Sequence, residues 1–183
     1  MPGLTLGIGE TNPKRGAVQF DGRRIDGVPF VIPSGAGVTE APIGSIVTLQ
    51  EYVGIGQKII LGADDYVDGN ENEYTVIGVG FLEAATQTDA NINQTVGVYK
   101  DGDVAAMIMD VNAVAMVPMD PQNEPSSGIY AYITSAGLLS SEDYNNTFFP
   151  GVVFFTTAGQ QVGNQLKAGY CFARFMVNML LEW

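Results

Sequence analysis

From residue 43 onward the sequence is a succession of short apolar or alternating runs. They are IGSIVTL (43 to 49), QKIIL (57 to 61), YTVIGVGFL (74 to 82), TVGVYK (95 to 100), DVAAMIMDV (103 to 111), AVAMV (113 to 117), IYAYIT (129 to 134), GVVFF (151 to 155) and YCFARFMVNMLLEW (170 to 183). Each is bounded by Gly, Pro, Asn or Asp, the punctuation expected between strands. In IYAYIT the period is two: Ile129, Ala131 and Ile133 share one face, and Tyr130, Tyr132 and Thr134 the other. Such alternation predicts a strand covered on one side. The last run sets Cys171, Ala173, Phe175, Val177, Met179 and Leu181 against Tyr170, Phe172, Arg174, Met176, Asn178, Leu180 and Glu182. Its second face is itself half apolar, which predicts a strand central to a sheet or packed on another subunit. Met and Leu keep a helix open as the competing reading.

The first 40 residues differ. Twelve Gly and Pro positions, from Pro2 to Gly37, interrupt them too often for a helix, and only GAVQF (16 to 20) and VPFVI (28 to 32) suggest short strands. Within the body, Lys100-Asp101-Gly102-Asp103 places an Asp-Gly pair between alternating apolar residues, which predicts a hairpin. PMDPQNEPSSG (118 to 128) reads as an exposed loop, and residues 83 to 94 as a loop or short helix. The expected fold is all-β: a short-stranded β-barrel or sandwich over 41–183, with an irregular, extended N-terminal arm over 1–40.

Composition supports a folded chain. Of 183 residues, 46% are hydrophobic and 15% charged, far from the composition of a disordered segment. No apolar stretch approaches the roughly 20 residues of a membrane-spanning helix. The N-terminus lacks the charged start and apolar middle of a signal peptide, so the chain is expected to remain in the cytoplasm where it is made, or to leave it by lysis. The lone cysteine, Cys171, lies in an apolar run and is expected to act as a small hydrophobe.

Charge is uneven. The net charge is −12, from 8 basic and 20 acidic residues. Lys14, Arg15, Arg23 and Arg24 are balanced within the first 40 residues by Glu10, Asp21, Asp26 and Glu40; the remainder carries 20 − 4 = 16 acidic against 8 − 4 = 4 basic residues. An acidic body repels phosphate, so no nucleic-acid partner is expected, whereas the locally basic arm suits an acidic protein surface.

The residues offer little chemistry. There is no histidine, which removes the usual general base and the commonest metal ligand. No serine lies in a G-x-S-x-G elbow, and Gly54-Ile55-Gly56 and Gly78-Val79-Gly80 lack the third glycine of a dinucleotide site. The acidic stretch Asp64, Asp65, Asp68, Gly69, Asn70, Glu71 fails the calcium-loop test: with Gly69 aligned to the invariant glycine, Tyr66 and Thr75 fall at ligand positions. Asp101 and Asp103 belong to a turn for backbone reasons. Accordingly no catalytic, cofactor-binding or metal-binding residue is assigned, and the chain is read as a non-enzyme.

One ordered set of turns carries more information. An apolar strand leads into Tyr99-Lys100-Asp101-Gly102-Asp103-Val104; a polar loop follows, then Gly128-Ile129-Tyr130-Ala131-Tyr132, the turn Thr134-Ser135-Ala136-Gly137-Leu138-Leu139-Ser140, and Val162-Gly163-Asn164-Gln165-Leu166 before the last strand. Pro42 to Val47 and Ile77 to Gly80 fit the same order. Over roughly residues 40 to 183 this resembles the structural cement, or decoration, proteins of tailed double-stranded DNA bacteriophage heads. It departs from them in its long N-terminal segment and in ending on Leu181-Glu182-Trp183. The resemblance implies a β-barrel-like domain on the outer surface of the capsid that bridges neighbouring major capsid protein subunits. It also implies a homo-oligomer, with a trimer among the open states, and no catalytic residues, cofactor or membrane partner. The candidate contacts to capsid or to other copies are Lys14, Arg15, Arg23 and Arg24 of the arm, with Met176, Leu180 and Trp183 of the last run. Two other classes fit the same features. One is a different virion component, such as a tail-tube, baseplate or head-fibre protein. The other is a carbohydrate-binding β module with Tyr130, Tyr132 and Trp183 as stacking residues.

Overall fold

The computed structural model describes residues 24–83, 98–109, 113–128, 130–155 and 169–176. Expectations for 1 to 23, 84 to 94, 162 to 166 and 177 to 183 lie outside the described residues. Within them the chain is all-β. Its strands are β1 (Arg24–Val31), β2 (Glu40–Pro42), β3 (Ile46–Tyr52), β4 (Gly56–Leu61), β5 (Tyr66–Val67), β6 (Glu73–Leu82), β7 (Val98–Lys100), β8 (Val104–Ile108), β9 (Ala115–Pro118), β10 (Tyr132–Ile133), β11 (Leu139–Ser140), β12 (Thr147–Phe148), β13 (Gly151–Phe155) and β14 (Tyr170–Phe175). The single helical element is a 3-10 turn at Ser34–Ala36.

Five of the strand pairings close on themselves. β3 pairs antiparallel with β4, β4 parallel with β1 (Phe30↔Ile59, Val31↔Ile60), β1 antiparallel with β8, β8 with β6 (Phe81↔Ile108), and β6 back to β3 (Ile46↔Phe81 through Glu51↔Thr75). Each of these strands thus has a partner on both sides, which removes the exposed edges that an open sheet would present. β5 extends the outer end of β6, β2 pairs with β7, and two three-stranded sheets complete the chain: β11-β10-β12 and β13-β14-β9.

Alternation along these strands divides the apolar residues between two cores. Val47, Leu49, Ile59, Leu61, Phe30, Ala105 and Met107 join one cluster, while Ile46, Val79 and Phe81 point the other way, toward Val117, Val153, Ala173 and Phe175. β3 is consequently buried at five successive positions, Ile46 to Gln50, and has lost its polar face. Gln50 is tolerated there because its amide is fully used: Nε2 donates to Thr48 Oγ1 at 2.6 Å and to the Asp64 carbonyl at 2.8 Å, and Oε1 accepts from the Tyr66 N–H at 2.9 Å. Gly80 is fixed by the crossing of β6 and β8, since a Cβ there would lie 2.4 Å from the Ile108 carbonyl oxygen. Gly44 joins the two halves: its φ is +85°, and a Cβ would fall 1.9 Å from the Met116 carbonyl oxygen.

Two expectations are corrected. The arm does not extend to residue 40, because residues 24 to 31 are β1, paired with both β4 and β8, and Phe30 is fully buried. Gly27, at φ +74°, carries the register shift between Asp26 and Val28, so glycine here makes a bulge inside a strand. Pro29 precedes the two residues that pair with β4 and owes no donor on that side. A cut after residue 27 would therefore remove three ladder positions, Arg24, Ile25 and Asp26, from the ring.

The Asp101-Gly102 turn forms, with Asp103 N–H donating to the Lys100 carbonyl at 3.1 Å, but the strands on either side do not pair with each other. β7 pairs with β2, and β8 with β1 and β6. Of the two central residues only Gly102 has positive φ, +86°, whereas the hairpin turn favoured by Asp-Gly needs both. β1 holds the turn instead: Phe30 N–H donates to the Asp103 carbonyl, Gly102 N–H to the Phe30 carbonyl, and Ile32 N–H to Asp101 Oδ1 at 2.9 Å.

Candidate functional site

β14 and β10 are the elements whose sequence alternation pointed outward, and both keep that alternation. Along β14, Cys171, Ala173 and Phe175 are buried while Tyr170, Phe172 and Arg174 are half-buried, and Met176 beyond its end is 54% exposed. β14 is central, with β13 on one side and β9 on the other. Val152, Phe154 and Met116 of the flanking strands are also half-buried, so the second face of this sheet carries apolar side chains together with the Tyr170 hydroxyl and Arg174. The Arg174 guanidinium lies 5.4 Å from the centre of the Phe154 ring, a stacking that lets a cation sit on apolar surface.

Of the predicted contact residues, Arg24 and Met176 are described, and Lys14, Arg15, Arg23, Leu180 and Trp183 lie outside the described residues. Arg24 opens β1 on the ring. Its guanidinium donates to Glu83 Oε2 through Nε and to Asp26 Oδ2 through NH1 at 2.5 Å, which raises its pKa, chiefly through the Glu83 hydrogen bond. Arg24 is thus neutralised within the molecule. The structure does not bring Arg24 and Met176 into contact.

Tyr132 on β10 lies directly opposite Phe148 on β12, with ring centres 5.9 Å apart and the planes at 76°. Ala131 and Ile133 between them point inward and are buried, while Tyr130 is 73% and Phe148 50% exposed. The turn entering β12 adds exposed Glu142, Asp143 and Tyr144, and Thr147 Oγ1 donates to Asp64 Oδ1 at 3.3 Å. Tyr130 and Tyr132 were legible as outward residues from their spacing. Phe148 and Tyr144 were not, because only the pairing of β10 with β12 gathers them.

The carboxylates singled out in the sequence serve the backbone. Asp101 Oδ1 accepts from Ile32 N–H, and Asp103 Oδ2 from Lys100 N–H at 2.7 Å. Asp68 closes the β5–β6 connection: Oδ1 accepts from the N–H groups of Asn70 and Asn72, and the Asn72 amide reaches both oxygens. The Asn72 side chain first, then these N–H groups, hold the Asp68 carboxyl below the usual carboxylate range. At Asp120 burial opposes the charge, yet Gln122 N–H, the Asn123 amide and the Ser140 hydroxyl outweigh it and lower its pKa. Among the described residues no group of three His, Cys, Asp or Glu side chains is placed to hold a metal ion. Burial pushes the Cys171 thiol up to about 12, leaving it without nucleophilic thiolate near neutral pH.

A cluster that the sequence did not suggest surrounds Lys58. Its Nζ lies 4.7 Å from the centre of the Tyr74 ring and 5.5 Å from that of Tyr66, and Tyr52 packs against Tyr74 at 5.8 Å. The Lys58 ammonium itself occupies this aromatic cluster.

No protein-family model matches the chain, and no curated protein matches it.

Proposed function

We propose that the chain is a virion structural protein that decorates a bacteriophage head from outside and stabilises the shell by bridging neighbouring major capsid protein subunits. The observation that carries the reading is that two of the turns responsible for the cement-protein resemblance belong to the framework. The turn at Tyr99 to Val104 is hydrogen-bonded to β1. The turn at Thr134 to Ser140 is closed by Gly137 N–H donating to the Thr134 carbonyl and by Leu138 N–H donating to Thr134 Oγ1, and the Gly137 carbonyl accepts from Ile46 N–H on the ring. Turns that hold a shape suit a protein whose task is to present surfaces. Met176, exposed just beyond the end of β14, marks the surface proposed to meet another copy or the shell, and the acidic body keeps the free protein soluble and off DNA.

The test uses heads stripped of this protein, with purified chain added back before a heat challenge. Wild type and the Asp101→Asn, Asp103→Asn double variant are expected to protect equally, since an amide oxygen can accept the same two backbone hydrogen bonds. Met176→Glu is expected to abolish oligomer formation or attachment, because a carboxylate would be buried unpaired in the contact. Loss of protection by the double variant, with Met176→Glu harmless, would overturn the reading.

A further inference from the structure

We infer that the aromatic ledge formed by Tyr130, Tyr132 and Phe148, with Tyr144 and the carboxylates of Glu142 and Asp143 beside it, is a docking surface for a cationic polypeptide segment whose arginine side chains lie on the rings. The inference does not depend on the shell assignment.

Placement comes first. Tyr132 faces Phe148 across the β10–β12 pair, and the ladder continues with Phe149 N–H donating to the Ala131 carbonyl at 2.8 Å, so Tyr130 projects on the same side two positions earlier. Exposed aromatic rings at 50%, 73% and 75% for Phe148, Tyr130 and Tyr144 are costly to leave in water unless a partner covers them. The rings of Tyr132 and Phe148 stand at 76°, offering a ring face beside a ring edge instead of one coplanar platform. A planar guanidinium can lie on a single ring face.

Charge then selects the occupant. Every described basic residue is already engaged inside the molecule: Arg24 with Glu83 and Asp26, Lys100 with Glu40, Lys58 over Tyr66 and Tyr74, and Arg174 over Phe154. Glu142 and Asp143 have no ion pair among the described residues and are exposed beside the rings. With a net charge of −12 the molecule attracts cations and repels polyanions, and these two carboxylates localise that attraction at the ledge.

The experiment titrates the full chain with an alternating Gly-Arg octapeptide, its Gly-Lys counterpart and a neutral hexasaccharide, following tyrosine fluorescence and heat of binding at two salt concentrations. The Gly-Arg peptide is expected to bind, more weakly at higher salt, and at least 10-fold more tightly than the Gly-Lys peptide. The uncharged change Tyr130→Ser with Phe148→Ser is expected to weaken it about 10-fold, and Glu142→Gln with Asp143→Asn by a comparable factor. Glu40→Gln, which removes a carboxylate on β2, is expected to leave binding unchanged. Equal weakening by Glu40→Gln, or no effect of the ring substitutions, would reduce the binding to diffuse charge and overturn the inference. Saccharide binding without peptide binding would overturn it in favour of a glycan platform.

Discussion

Phe175→Ala tests the packing that ties the terminal strand to the ring. Phe175 is 1% exposed, with its ring 4.5 Å from that of Phe81 on β6 and 5.2 Å from that of Phe149. Truncating a buried Phe to Ala typically costs about 3–5 kcal/mol through lost transfer energy and the cavity left behind. The two aromatic contacts account for roughly 0.5–1.5 kcal/mol each of such a loss. Phe81 projects from a strand fixed by its ladders, and Phe149 is tied by its N–H to the Ala131 carbonyl, so little collapse into the cavity is available, and we expect a loss of about 4 kcal/mol. For a chain of this size that corresponds to roughly 8–16 °C in Tm, at about 2–4 °C per kcal/mol. Phe175→Leu keeps most of the volume and is expected to cost about 1–1.5 kcal/mol. Thermal and urea unfolding followed by far-ultraviolet dichroism, at matched protein concentrations, measure both. A loss below about 1 kcal/mol for Phe175→Ala would refute the placement of β14 between the ring and the outer face.

Cys171 is expected to resist a thiol-directed disulfide reagent at pH 8 in the native protein and to react within seconds once denaturant is added; rapid native labelling would show that β14 does not seal it. Stability is expected to fall on the acid side, because the Asp120 carboxyl is depressed in the folded state. Its contribution is complete above its unfolded pKa of about 3.9 and is lost as pH falls through the lower folded value. Asp120→Asn should flatten part of that acid decline in a pH series of urea midpoints, and an unchanged profile would contradict the hydrogen-bond assignment. Tyr74 is fully buried and its hydroxyl lacks a hydrogen-bond partner among the described residues, so Tyr74→Phe should stabilise by about 1 kcal/mol in the same unfolding assay.

Local pattern made the strands legible and long-range pairing decided the rest. The period-two residues of β10 and β14 fall on the faces that alternation assigned, since burial on one side of a sheet imposes that period wherever the strand lies. At β1 the short strand suggested by VPFVI is present, but Gly27 and Pro29 hid its start at Arg24 and its place in the ring; one makes a bulge, and the other stands where no donor is needed. The sequence misled at Asp101-Gly102, where a turn common in hairpins links strands that belong to different neighbours. Closure of β3 onto β6 and the parallel step from β1 to β4 leave no mark in local periodicity. The aromatic ledge was half visible for the same reason: Tyr130 and Tyr132 share a strand, but Phe148 joins them only through register.

The most direct test of the proposed shell role is an image of phage heads, at a resolution sufficient to locate a bulky label, with the label fused ahead of residue 1 of this chain. The account predicts label density on the outer surface of the head, repeated with the capsid lattice and bridging adjacent major capsid protein subunits. Label confined to the tail, the baseplate or fibres, or absent from the particle, would contradict it.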